Sequence, residues 1–71
     1  MSTEVITNKA IICEEPDTRL AVSYYAATNV WEVHYYGPAH SFRGHGESEA
    51  KARGALRTRL AYEGIQIPAA L

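Results

Sequence analysis

The residues in this sequence that could perform chemistry are three histidines, one cysteine and a serine. His34, His40, His45 and Cys13 are the candidate ligands for a metal ion. Zinc sites in proteins combine closely spaced ligand pairs on tight turns. Only His40 and His45 approach such a spacing, and an odd separation along a strand directs them to opposite faces. We therefore expect neither a metal site nor a cofactor.

The candidate catalytic groups lack the partners that a nucleophile needs. Cys13 lies in an apolar stretch, which favours a buried, unreactive thiol. Ser23 is predicted to face His34 across a hairpin, but no aspartate is placed to orient the imidazole. The flat face of a sheet also offers no oxyanion hole. We expect that the protein is not an enzyme.

A glycine pair, Gly44 and Gly46, precedes a predicted helix and is similar to a phosphate-cradling loop. The third glycine and the lysine-serine pair of a P-loop are missing. Glu47 and Glu49 at the helix start would also repel phosphate. We expect the glycines to provide only a flexible turn from strand to helix.

The elements that position these residues form a single domain over positions 1–71. Stretches rich in β-branched and aromatic residues predict strands at about 6–13, 20–27, 30–36 and 40–44. Ser48 is a suitable N-cap for a helix that runs to about residue 63. The expected fold class is α+β: a small antiparallel meander of three or four strands packed on one C-terminal helix.

The second and third strands form the clearest predicted unit, a hairpin. With Thr28 and Asn29 as a two-residue turn, Val22 lies opposite Tyr35. This register gives both strands one apolar face and one polar face, as expected of a half-buried hairpin.

The predicted helix carries an apolar stripe for the apolar face of the hairpin. Ala52, Leu56 and Leu60 follow helical spacing and form that stripe. Gly64 is placed to end the helix with a positive φ, and Ile65 and Ile67 are expected to fold back against the sheet edge.

Charge is distributed unevenly along the chain, although the formal net charge is only −1. Residues 40–60 contain five basic and two acidic side chains, a balance of +3, and the remainder carries −4. The single cysteine and the lack of a leader-like or membrane-spanning apolar run predict a cytoplasmic protein. If a phage encodes the chain, the compartment is the host cytoplasm.

With no catalytic or metal site expected, surface residues are the candidates for function. Tyrosine is favoured in interfaces because it buries a large area at low entropic cost. We predict a small, non-catalytic module that binds a larger protein partner, in the manner of phage inhibitors that occupy a surface of a host enzyme or immune complex. The expected partner-binding residues are Tyr25, Glu32, His34, Tyr36, Arg43, Lys51, Arg53 and Arg57.

The main alternative is nucleic-acid binding through the basic face of the helix. The stretch 44–51 resembles the strand-to-helix junction of double-stranded-RNA-binding domains, and residues 37–40 resemble a loop of that family. The resemblance is confined to these stretches. Glu49 replaces the lysine pair that the family carries at the helix start, and the family's N-terminal helix and one strand have no counterpart.

A second alternative is a regulatory homodimer. Gly54 lies on the side of the helix away from the apolar stripe, and a glycine inside a helix costs about 1 kcal/mol relative to alanine. Close approach of a second chain would explain its presence there. The tyrosine-bearing face of the sheet is the competing dimer surface.

Overall fold

Four strands followed by one helix make up the fold. The computed structural model describes residues 5–13 and 17–71, with side chains from residue 9 onward. The elements are β1 (Val5–Ile11), β2 (Arg19–Tyr25), β3 (Val30–Tyr36), β4 (Ser41–Gly46) and α1 (Glu49–Tyr62). The predicted α+β class and its antiparallel meander are confirmed. The first strand is shorter than predicted, ending at Ile11, and the fourth extends to Gly46.

The sheet order β1-β2-β3-β4 follows the order of the strands in the sequence, and each neighbouring pair is antiparallel. Helix α1 packs on β3 and β4. Because side chains alternate along a strand, one face of the sheet receives the helix and the other faces away from it.

The central hairpin has the predicted faces but a different register. Tyr24 lies opposite Trp31 and Val22 lies opposite Val33, so the predicted pairing is wrong by two residues. The loop contains four residues, closed by a hydrogen bond of 3.3 Å from the Asn29 N–H to the Ala26 carbonyl. Asn29 has the positive φ expected of it, 55°. An even shift preserves the face of every side chain.

The core lies between the helix and the helix-facing side of the sheet. Its buried members are Leu20, Val22, Val33, Tyr35, Ala52, Leu56 and Leu60. The helix stripe predicted from the sequence is therefore the buried one. Trp31 is on the same face but only half-buried, with its ring 4.8 Å from that of Tyr24.

Both ends of the helix are capped by local hydrogen bonds. The Ser48 hydroxyl accepts a bond from the Lys51 N–H at 3.2 Å, as expected of an N-cap. At the other end, the Gly64 N–H donates to Ala61 and the Ile65 N–H donates to Leu60. With Gly64 at a φ of 75°, this is a Schellman motif.

The two glycines of β4 allow the helix to approach the sheet closely. A Cβ at Gly44 would lie 2.4 Å from the Leu56 backbone nitrogen and 2.7 Å from the Ala52 carbonyl oxygen. A Cβ at Gly46 would lie 2.8 Å from the Lys51 Cβ. The expectation of a flexible turn was wrong, because both glycines are strand residues that leave room for the helix backbone.

The segment after the helix folds back onto the domain. Three of its residues pack against the core: Ile65, Ala70 and Leu71. Ile67 is exposed, so only one of the two isoleucines predicted to fold back does so. Arg53 donates to the Ala70 carbonyl at 3.1 Å, and Arg57 donates to the Leu71 backbone oxygen at 3.0 Å. These bonds hold the segment alongside α1.

Candidate functional site

The sheet face opposite the helix is the candidate site, and we call it the open face. In the described part of the chain no helix or strand packs on it. Its side chains come from alternate positions of β2, β3 and β4: Arg19, Ala21, Ser23, Tyr25, Val30, Glu32, His34, Tyr36, Ser41, Arg43 and His45. Five of the eight predicted partner-binding residues are in this set.

Tyr36 is the centre of an ordered group of side chains on the open face. The Arg19 guanidinium carbon lies 5.0 Å from the centroid of the Tyr36 ring, a cation–π distance. The His34 ring is nearly parallel to that of Tyr36, at 7° and 5.8 Å between centroids. The three side chains support one another, so this part of the open face is ordered by contacts within the chain.

Glu32 fixes the orientation of His34. The His34 Nε2 and the Glu32 Oε1 are 2.9 Å apart, and the two side chains are only 21% and 15% exposed. This contact engages the one carboxylate among the β2, β3 and β4 side chains of the open face. The imidazole is thereby held beside Tyr36.

Contrary to the expectation from the sequence analysis, Ser23 does not lie opposite His34. Ser23 lies opposite Glu32, and Ala21 lies opposite His34, because of the two-residue shift in the hairpin. The same shift places Arg19 opposite Tyr36. The sequence analysis missed Arg19 as a site residue because the shorter turn had placed Ala21 there.

Three of the shallow depressions in the described part of the chain are lined by Tyr36. The first, of about 380 Å³, is shared with Lys9, Ala10, Arg19, Leu20 and Ala21. Two more flank the same ring. One has a volume of about 170 Å³ and is lined by His34, Tyr36, Ser41, Phe42 and Arg43. The other, of about 390 Å³, is lined by Asp17, Thr18, Arg19, Tyr36 and Gly37. Each depression therefore has one arginine in its lining. Such open depressions accommodate side chains of a partner better than they enclose a small molecule.

Lys51, Arg53 and Arg57, the remaining predicted partner-binding residues, are on the helix and away from the open face. Each contacts a group of the chain itself. Lys51 is 3.6 Å from the Glu47 carboxylate, and Arg53 donates two hydrogen bonds to Glu49, at 2.8 and 3.1 Å. Arg57 bonds the C-terminal segment, as described above.

Glu49 forms ion pairs with two cations, Lys9 and Arg53, on the helix side of the domain. Its hydrogen bonds from Arg53, with the positive charge of Lys9 3.5 Å away, lower the pKa of its carboxyl below the ordinary value of 4.5. The side chain is 27% exposed. Glu49 therefore engages two of the basic side chains of this surface, Lys9 and Arg53.

The histidines and the cysteine are not gathered into a metal site. Within residues 5–13 and 17–71, no three His, Cys, Asp or Glu side chains are grouped so as to hold a metal ion. His45 is on the open face, whereas the His40 ring lies 5.9 Å from that of Phe42, a residue of the helix-facing side. The predicted divergence of His40 and His45 agrees with this arrangement.

Comparison with known proteins adds no relative. The chain matches no protein-family model, no curated protein and no solved structure. In the described part of the chain, no helix has the length and apolar character needed to cross a membrane. The fold and the site define a small α+β domain with one face of its sheet open.

Proposed function

We propose that this protein is a small, non-catalytic binding module that attaches to a larger protein through the open face of its sheet. The observation that carries the proposal is the ordered group of Arg19, His34 and Tyr36 on that face. Tyrosine and arginine are the residues that most often dominate binding energy in interfaces. Prior ordering of their side chains lowers the entropic cost of association.

The alternative of nucleic-acid binding through the helix is less well supported. Phosphate binding draws its affinity from cations that are free to replace counterions. Lys51 and Arg53 are next to carboxylates of the chain, and Arg57 is bonded to the C-terminal segment. A phosphate would have to displace these contacts.

Affinity capture with paired tyrosine variants tests the proposal. The chain is immobilised as wild type, as Tyr36→Asp and as Tyr62→Asp, and proteins retained from the cells that produce it are identified by mass spectrometry. Tyr62 is a matched control because it is 84% exposed and lies on the helix. We expect one major protein to be retained by wild type and Tyr62→Asp and lost with Tyr36→Asp. Equal retention by all three forms would contradict the proposal.

The narrower hypothesis, a phage-type inhibitor of a host enzyme or immune complex, adds a functional readout. The captured protein should lose activity when purified chain is added in stoichiometric amount, and Tyr36→Asp should restore that activity. Undiminished activity of the saturated complex would refute inhibition while leaving the binding proposal in place.

A further inference from the structure

The positive charges of the domain divide into engaged and free groups. The chain contains seven lysines and arginines, all within the described residues. Four are on the helix and each contacts a carboxylate or a backbone oxygen of the chain: Lys51, Arg53, Arg57 and Arg59. Lys9 pairs with Glu49. The two that remain, Arg19 and Arg43, are both on the open face.

The Arg43 side chain is exposed and makes neither an ion pair nor a hydrogen bond with the described residues. Arg19 is also exposed and contacts only the Tyr36 ring among them, which leaves its N–H donors available. Glu32 is already engaged by His34. Asp17 lines the depression beside Arg19. It is the one carboxylate among the residues that line these depressions. Arg19 and Arg43 are therefore the two cations whose side chains have no carboxylate or backbone-oxygen partner among the described residues.

We propose that the open face binds an acidic protein segment whose carboxylates meet Arg19 and Arg43, a specificity that rests on the proposed function. The two arginines are on β2 and β4, the strands that flank β3 and its Tyr36. Two strand spacings and an offset of two residues along the strands separate them by about 12 Å, which an extended segment covers in about four residues. Guanidinium groups bind carboxylates through paired hydrogen bonds, and the segment's intervening side chain rests on Tyr36.

The number and separation of the free arginines favour a polypeptide over a nucleic acid as the occupant. A nucleic acid presents a phosphate at every nucleotide and requires a continuous basic groove, whereas this face offers two arginines with Asp17 nearby. Two separated carboxylates match the two separated cations.

A titration followed by heteronuclear NMR tests this specificity directly. The probe is a soluble random copolymer of glutamate and tyrosine, added to ¹⁵N-labelled protein in buffer of low ionic strength. We expect the largest shifts at Arg19, His34, Tyr36 and Arg43, and a midpoint that rises with salt. Arg43→Gln should weaken binding about tenfold, whereas Lys51→Gln, the helix control, should leave the midpoint unchanged.

Several results would overturn the inference. They are shifts confined to the helix, equal weakening by Lys51→Gln, no shift at all, or tighter binding of an oligothymidylate of equal charge. Concentration-dependent shifts on the open face without any probe would instead identify a second copy of the chain as the occupant. If the capture described above depends on Tyr36 but is indifferent to Arg43→Gln, the binding proposal stands and the acidic specificity falls.

Discussion

Gly44 shows how a single residue can set the distance between two elements. A side chain at this position would collide with the backbone of α1, and a helix backbone cannot move aside as a flexible side chain can. The sequence analysis identified the glycine pair but assigned it to a loop. The local sequence pattern does not show that a helix packs against Gly44, because only the fold brings Gly44 to the backbone of Ala52 and Leu56.

Gly44→Ala and Gly54→Ala form a matched pair of substitutions with opposite expected effects. Gly44→Ala should lower the free energy of unfolding by about 1–3 kcal/mol, because the helix must shift from the sheet. Gly54→Ala should raise it by about 0.5–1 kcal/mol, since its Cβ would meet only the Arg57 Nη2 at 3.8 Å. Urea denaturation of both variants measures the difference. Destabilisation by Gly54→Ala would show that a close contact exists at that glycine.

Glu49 gives the domain an acid-sensitive contact. Its carboxyl pKa is lowered in the folded chain, first by the hydrogen bonds from Arg53. The stabilisation is therefore present above the ordinary value of 4.5 and is lost as pH falls through the folded pKa. Glu49→Gln should cost about 0.5–1 kcal/mol at neutral pH, a modest value for a partly exposed group.

The difference in unfolding free energy between wild type and Glu49→Gln should shrink as the pH falls below 4.5. Thermal denaturation at a series of pH values measures it. A difference that stays constant down to the lowest pH at which the protein is folded would contradict the lowered pKa of the Glu49 carboxyl. Glu47→Gln, at a more exposed ion pair, is the control and should show little effect at any pH.

At the scale of elements, the helix and the face assignments were predictable, while the strand register was not. Ser48, Gly64 and the stripe of Ala52, Leu56 and Leu60 are local signals that define a helix and its buried side. The turn of the hairpin depended on whether two or four residues connect the strands. Asn29 suits either loop, and an even shift leaves the apolar pattern intact, so the sequence contained no means of choosing.

The C-terminal segment is an element whose attachment was not foreseen. Arg53 and Arg57 had been predicted as partner-binding residues because they are basic and one turn apart on the helix. They bind the backbone oxygens of Ala70 and Leu71 instead. Sequence spacing shows which side of a helix a residue occupies but not which distant carbonyl it will meet.

Arg53→Gln should release this segment. We expect faster amide exchange at Leu71, whose N–H bonds the Pro68 carbonyl, because the docked geometry that holds this turn is weakened. Arg59→Gln is the matched control, since Arg59 contacts Glu63 and Phe42 but not the segment. Equal exchange in the two variants would show that the Arg53 bond is not needed and that Arg57 and the apolar contacts hold the segment.

For the whole molecule, the charge of each segment could be read from the sequence, but the partners of the cations could not. The basic run of residues 40–60 suggested a cationic helix, but Glu47, Glu49 and Glu63 are each one turn from a basic partner. These i,i+4 contacts engage three of the four cations of the helix, and the fourth, Arg57, bonds the C-terminal segment. The free cations are instead divided between β2 and β4, and they meet on the open face only because β3 lies between them.

The measurement that tests the central claim most directly is site-specific photo-crosslinking in the cells that produce the chain. A photoreactive phenylalanine analogue replaces Tyr36 in one variant and Tyr62, on the helix, in another. We predict that position 36 yields one dominant adduct to a larger protein and that position 62 yields none. Adducts to that protein from position 62 alone, or to nucleic acid from position 36, would contradict the assignment of the open face as a protein-binding surface.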